Sequence, residues 1–307
     1  MATEAYKKQV KLLLAALPEI AKEPNLALHG GTAINLFVRD MPRLSVDIDL
    51  TYILFDNREI SLKNISEALE RCRVRVQKVL PTAKIQHKEK EVKLLISDGG
   101  SSIKIEVNTI NRGIIGERTI LTLCPKAQEE FEVSCTIAVV PTGQLFGGKI
   151  VAALDRQHPR DLFDVKYLLE KEGFTAEIKE GFLLLLLSSE RPIHEVLFPN
   201  LLDQRSALEN QFAGMSNMDF SYNDFEKVRA EMITTVHKKL NKTDKDFLLS
   251  IKSLKPDWTK YNFENFPAVK WKLQNLQKLK NTNPDKYQKM YDALKKNLSE
   301  LGKTKNE

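Results

Sequence analysis

The sequence is short of what a disulfide-stapled, zinc-binding or membrane-spanning protein needs. It holds three cysteines, Cys72, Cys124 and Cys135, an odd number with no C-x-x-C spacing. That excludes a disulfide framework and a cysteine zinc site, and suits a reducing compartment. Apolar runs are short: residues 182–187 make one of six, against the ~18 that a membrane helix requires. The first residues lack the charged-then-apolar pattern of an export signal, so a cytoplasmic protein with no membrane association is expected. The five histidines (His29, His87, His158, His194 and His237) have no metal-ligand spacing, and neither a Ser-His-Asp nor a Cys-His arrangement is signalled. With 42% hydrophobic and 29% charged residues among 307, collagen-like and disordered classes drop out, and two globular domains are expected.

Charge of one sign is in excess only at one end. The chain carries 47 Lys+Arg against 41 Asp+Glu. Residues 259–307 hold 11 lysines and 5 acids, a net of +6, so the remaining 258 residues are neutral. A basic segment of this kind either marks a polyanion partner or is a solvated lysine-rich helical surface.

The N-terminal half alternates helix and strand patterns. Val10, Leu13, Leu14 and Leu17 recur at helical spacing. Residues 26–36 read as a short apolar stretch, a glycine turn at Gly30-Gly31 and a helix from about Thr32 that ends at Met41-Pro42. Residues 46–54 read as a strand, and 61–80 as a helix with Ser61 at its N-cap. The Asp98-Gly99-Gly100 turn between 92–97 and 102–108 signals a hairpin. Helices are expected from Thr142 to about Arg156 and from Pro159 through Glu170. After Gly173 the strand signals stop, and 177–189, 221–240, 243–254 and 267–301 read as helices, with a frayed tail at 302–307. The predicted organisation is therefore a first domain over 1–173 and a helical domain over 174–307.

Most of the chemical information lies in Asp47-Ile48-Asp49. Side chains on a strand alternate with period two, so both carboxylates project from one face. Two carboxylates sharing a face repel unless a cation neutralises them, and hard oxygen ligands favour Mg²⁺ or Mn²⁺. Just upstream, Gly30 and Gly31 allow close backbone approach, and the following helix start suits a phosphate. The Walker pattern is absent, and a Rossmann fingerprint lacks its third glycine.

The segment Gly30-Gly31-Thr32-Ala33-Ile34-Asn35-Leu36, followed by Arg43-Leu44-Ser45-Val46-Asp47-Ile48-Asp49-Leu50, resembles the first motif of the polymerase-beta-like nucleotidyltransferases. More narrowly, it is similar to the AbiEii/AbiGii (MenT-type) toxin family. Lys149, Ala152, Arg156, Arg160, Asp161 and Asp164 match that family's later lysine and R-D-x-x-D pattern, and residues 267–276 are similar to its C-terminal segment. The resemblance implies a mixed-sheet α+β nucleotidyltransferase domain followed by a helical domain with basic C-terminal helices. It implies a metal-dependent, pyrophosphate-releasing enzyme that moves an NMP from an NTP to an acceptor hydroxyl, a tRNA or other RNA 3′ end, in a type IV toxin–antitoxin setting with a separately encoded antitoxin. A protein or small-molecule acceptor, or non-catalytic nucleotide or RNA binding on the same fold, are the alternatives.

Under this reading Asp47 and Asp49 hold the metal, and Gly30, Gly31 and Thr32 receive the phosphates. Ser45 either donates to a phosphate oxygen or stabilises a turn. Lys104, Glu106 and Asn108 share a strand face, where Glu106 is either the third acid that activates the attacking hydroxyl or part of a solvated Lys–Glu surface. Lys149, beside the apolar stripe of its helix, reaches the triphosphate as a point charge, and Arg160 joins it. Asp161 either acts as catalytic acid or base, or fixes Lys149 or Arg160 through an ion pair; acids in a first helical turn also suit the helix dipole. Trp271 is expected to pack against the first domain rather than stack on a base.

Overall fold

The computed structural model describes residues 3–301; the expected frayed tail at 302–307 lies outside them. The chain divides into two compact units, Met1–Leu145 with Arg205–Phe220, and Phe146–Gln204 with Ser221–Glu307. The division thus falls near Leu145 rather than Gly173. Residues 205–220 return to the first unit because their backbone is tied there: the Leu44 N–H donates to the Met215 carbonyl (2.7 Å) and Ser216 Oγ to the Pro42 carbonyl (2.9 Å).

The first unit is built on a seven-stranded mixed sheet. Its strands are β1 (Leu26–His29), β2 (Asp47–Tyr52), β3 (Lys84–Lys88), β4 (Lys93–Asp98), β5 (Ser101–Asn108), β6 (Thr119–Thr122) and β7 (Thr136–Val139), in the order β3-β4-β5-β2-β1-β7-β6. The β2–β5 and β1–β7 pairs are parallel; β1–β2, β3–β4, β4–β5 and β6–β7 are antiparallel. This is the α+β architecture expected. Gly99 (φ +52°) and Gly100 (φ +78°) make the left-handed two-residue turn of the β4–β5 hairpin. Strands β3, β6 and β7 escaped the sequence reading. They are four or five residues long and lack a clean alternation, so pairing, not local pattern, makes them strands.

The helices of this unit include α1 (Glu4–Ile20), α2 (Gly30–Ala33, continuing as a π-helical turn over Ile34–Val38), α3 (Arg58–Val79) and α4 (Pro125–Phe131). Helix α1 lays Val10, Leu13, Leu14 and Leu17 into the core. Helix α3 starts earlier than expected because Asn57, not Ser61, is its N-cap, its side chain accepting from the Ile60 N–H (2.9 Å). Ser61 Oγ donates instead to the Asp56 carbonyl.

Helix α5 (Thr142–Arg156) leads into the second unit, which contains α6 (Pro159–Lys171), α7 (Ala176–Ser188), α8 (Ile193–Leu197), α10 (Tyr222–Lys239), α11 (Lys242–Lys252), α12 (Pro267–Thr282) and α13 (Pro284–Glu300); the short α9 (Arg205–Ala207) belongs to the first. Residues 182–187 of α7 are all buried and form the centre of this unit, so the apolar run is core. Gly147 lets α5 reach α7: a Cβ there would stand 2.2 Å from the Phe182 backbone nitrogen. The single helix expected over 267–301 breaks at Asn283, since Pro284 has no N–H to continue the ladder and Asn283 caps α13 by accepting from the Lys286 N–H. Trp271, expected to pack, is 56% exposed. Among the described residues no helix is long and apolar enough to cross a membrane.

Candidate active site

The first unit gathers the glycine turn and the carboxylates at neighbouring strand ends. Strand β1 delivers the chain to Gly30, whose φ of +74° is a conformation that L side chains avoid. Register then places three strands side by side. Asp49 of β2 stands opposite His29 of β1 and Glu106 of β5, and Asp47 stands opposite Lys104. Asp47 and Asp49 are half-buried and share a face, with Ile48 and Leu50 buried on the other.

The turn and the carboxylates are in close contact. A Cβ on Gly30 would lie 2.7 Å from Asp49 Oδ2, and one on Gly31 would lie 2.8 Å from an Arg43 guanidinium nitrogen and 3.0 Å from Ser45 Oγ. Neither glycine therefore tolerates a side chain without moving the groups beneath it. Gly30→Ala is expected to displace Asp49 and lower the activity of this site at least tenfold, at a stability cost of only about 1–3 kcal/mol. Parallel kinetics and thermal unfolding check this; an active variant shows that the Gly30–Asp49 approach is incidental.

Thr32 and Ser45 are buried beneath the turn. The Thr32 hydroxyl donates to the Asp47 carbonyl and lies 3.0 Å from Ser45 Oγ. Their side chains tie α2 to β2; for Ser45 this is the turn-stabilising contact that was one of its two expected roles. Asn35 Nδ2 donates to the Gly31 carbonyl (2.9 Å) and fixes the turn from the other side. Arg43, 3% exposed, donates to the Leu44 carbonyl (2.9 Å) while its guanidinium lies against Gly31. The sequence reading quoted Arg43 within the motif but did not single it out; its position two residues before Ser45 was the only signal.

Lys104 is the second residue that was undervalued. Its Nζ pairs with Glu106 Oε2 at 2.6 Å. Burial opposes its charge, but Glu106, and behind it Asp47 and Asp49, outweigh that and hold the Lys104 pKa above its ordinary value. The face therefore carries three carboxylates and one ammonium. Among the described residues no group of three or more His, Cys, Asp or Glu side chains is gathered to hold a metal ion by protein ligands alone. A pair of aspartates flush against a side-chain-free turn instead suits an ion that takes one or two carboxylates and completes its shell with phosphate oxygens and water, as Mg²⁺ does.

Lys149, Asp161 and Asp164 lie in the second unit and come together there. Gln157 (φ +49°) turns the chain between α5 and α6, and His158 caps α6 by accepting from the Arg160 N–H. This corner brings α5 residues Lys149 and Arg156, two turns apart, against the first turn of α6. Lys149, 7% exposed, holds Asp161 Oδ1 at 2.8 Å and Asp164 Oδ2 at 3.0 Å. Arg156 grips Asp161 through Nε (2.6 Å) and a terminal nitrogen (3.0 Å), and its own side chain is 61% exposed. Burial alone would raise the Asp161 pKa, but the Lys149 ammonium and the Arg156 guanidinium outweigh it and hold the carboxyl well below the usual carboxylate range. Two cations and two carboxylates thus meet at this corner. Arg160, expected beside Lys149, makes no ion pair among the described residues; the guanidinium that joins the cluster is Arg156.

The comparisons with known proteins agree with this architecture. Among the solved structures, MenT4, a nucleotidyltransferase toxin from Mycobacterium tuberculosis H37Rv, superposes with a TM-score of 0.57 at 13% identity, over 88% of this chain and 91% of that one. That likeness speaks to the fold alone. No curated protein matches the sequence. The model of the nucleotidyl transferase AbiEii toxin family, type IV toxin–antitoxin system, matches residues 11–275. With that match over most of its length, the chain belongs to the AbiEii nucleotidyltransferase toxin family.

Proposed function

We propose that this nucleotidyltransferase moves a nucleoside monophosphate from an NTP to the hydroxyl of an RNA 3′ end, with release of pyrophosphate. The observation that carries this reading is the contact of Gly30 with Asp49, which joins a side-chain-free turn to a carboxylate pair. Asp47 and Asp49 would hold Mg²⁺ or Mn²⁺, which when bound offsets the negative charge of the triphosphate as the α-phosphorus is attacked. Gly30 and Gly31 keep side chains out of the way of the phosphates, and Arg43 sets a fixed positive charge against the turn. Ser45, Thr32 and Asn35 hold that turn to β2, so the donors are positioned before substrate arrives.

Of the acids left open as base, Glu106 suits the role better than Asp161. It is partly exposed, in register with Asp49, and able to take the acceptor proton. Asp161 is buried, and a carboxylate held so low in pKa is a poor base. Asp161 and Asp164 then act by fixing Lys149 and Arg156, and Arg156 is the cation that this cluster offers to an anionic ligand. The RNA acceptor rests on the +6 confined to residues 259–307 and on the exposed lysines Lys270, Lys278, Lys286, Lys289, Lys295 and Lys296 of α12 and α13. Family membership also implies an antitoxin partner.

Incubation with each labelled NTP, Mg²⁺ and total RNA is expected to label RNA 3′ ends, and EDTA is expected to abolish the labelling. Label on a protein or small molecule instead overturns the acceptor assignment, and Mg²⁺-dependent NTP binding in a calorimeter with no transfer to anything overturns the catalytic one.

A further inference from the structure

Helix α12 differs in charge from the other long helices of the chain. It carries four lysines and no acid, whereas each of the other described helices of eight or more residues holds at least one Asp or Glu. Its rotation is fixed from the inner side: Ala268, Val269 and Leu276 are buried, the helix packs against α7 and α13, and Lys272 donates to the Ser189 and Arg191 carbonyls. At 3.6 residues per turn the opposite face presents Trp271, Gln274, Asn275 and Lys278, with Lys270 at its border, and all five are exposed.

A single exposed aromatic is ordinary on a protein surface; this one is set apart by its company. Among the described residues no ring, cation or hydrogen-bond partner meets the Trp271 indole, and the Lys270 and Lys278 ammonium groups form no ion pair. The amides of Gln274 and Asn275, one turn from the indole, make no hydrogen bond there either. On α13, by contrast, Asp285, Asp292 and Glu300 stand among the lysines. We propose that the outward face of α12 is a platform for single-stranded RNA, on which Trp271 stacks with a base and Lys270 and Lys278 meet the flanking phosphates. The proposal rests on the RNA reading above and gives it a surface.

The chemistry of the face selects this ligand. Every base has a flat π-face, so stacking on an indole is strong and tolerant of sequence, while the phosphates on either side supply the negative charge that α12 lacks. Gln274 and Asn275 offer both donors and acceptors to the edge of a stacked base. A carboxylate-rich peptide would satisfy the lysines and leave the indole in water. A duplex carries the phosphates but keeps its base faces against one another, so the strand that fits is a single one. Trp271 and Lys278 stand two turns apart, about 10 Å along the helix axis, which lets one short stretch of strand engage both.

The test is titration of the full chain with a single-stranded RNA oligonucleotide, its duplex and polyglutamate of matched charge, read by tryptophan fluorescence and by anisotropy of labelled RNA. The chain has two tryptophans, and Trp258 packs against Phe247 with ring centroids 6.2 Å apart, so Trp271 is the exposed reporter. The single strand is expected to quench the wild type and to bind more tightly than duplex or polyglutamate. Trp271→Ala is expected to lose the quenching and about tenfold in affinity while unfolding at the wild-type temperature, and Trp271→Phe to recover part of the affinity. Lys278→Gln is expected to keep the quenching and to lower the salt slope of binding by about 0.7. Wild-type affinity in Trp271→Ala, or quenching by polyglutamate as strong as by RNA, overturns the platform; should Trp271→Ala fail to fold, an unchanged salt slope in Lys278→Gln does so. Labelling of RNA 3′ ends by a protein whose Trp271→Ala variant binds RNA normally overturns this surface alone. Quenching of Trp271 by single-stranded RNA with no transfer to any acceptor supports the surface and overturns the transferase reading.

Discussion

Asp49→Asn is expected to lower nucleotide transfer by roughly 10³-fold, the scale for losing a charge-stabilising group aimed at the transition state, while the protein stays at least as stable as before. The two halves of this expectation come from one arrangement. Asp47, Asp49 and Glu106 crowd one face of β2 and β5 with Lys104 as the cation held there by the ion pair to Glu106. Without a bound cation the carboxylates repel each other, so neutralising one relieves the apo fold. Asparagine keeps the shape, and with it the contact against Gly30. Transfer kinetics beside thermal unfolding read both effects. A variant that loses activity and stability together indicates a structural Asp49, and one that keeps activity removes the carboxylate pair from the mechanism. Titrating Mg²⁺ against wild type and variant adds a readout that a purely structural role does not move: only a residue that holds the ion shifts the Mg²⁺ dependence.

Lys149→Met is expected to unfold the protein more readily, by about 3–5 kcal/mol, because it leaves a net negative charge among buried carboxylates. On the usual scaling that is a fall in Tm of about 10 °C. The reason lies in the geometry of the cluster: Lys149 pairs with both Asp161 and Asp164, whereas Arg156 pairs with Asp161. The double variant Lys149→Met with Asp164→Asn is therefore expected to recover most of the loss, leaving Arg156 and Asp161 as a closed pair. Additive losses in the cycle contradict the shared network.

The pH dependence separates the two proteins by sign. In the wild type the Asp161 pKa is depressed from its ordinary 3.8 by Lys149 and Arg156, against burial. Its contribution is fully present above that ordinary value and declines as pH falls below it. In Lys149→Met the buried carboxylates lose that ammonium and burial favours their protonated form, so the variant is expected to regain stability as pH falls. Thermal unfolding from pH 8 down to pH 2 checks this: the variant gains stability on the way to pH 4, and the wild type loses the Asp161 contribution only below about pH 4.

Much of this site was legible in the residues. The alternation of Asp47 and Asp49, the glycine turn before them and the R-D-x-x-D spacing depend only on local periodicity, which a chain carries wherever it folds. The partners of those residues were not legible. Glu106 aligns with Asp49 because β2 and β5 pair in parallel across more than fifty residues of chain. That the Thr32 and Ser45 hydroxyls face each other and β2 was not legible either, because it depends on α2 packing on that strand. Arg160 was the arginine expected to pair with Asp161, and it is Arg156, brought back across the left-handed turn at Gln157, that meets it.

The sequence by itself determined the carboxylate pair, the glycine turn, the helical character of the second half and the confinement of net charge to its end. All of these follow from spacing and composition. Tertiary structure alone decided which charges are brought together: Lys149 between two aspartates, and Lys104 beside three carboxylates. Burial and strand register are properties of elements far apart in the chain. An ammonium reads the same in sequence whether it faces water or the interior, and its energetic meaning depends on which of the two it meets.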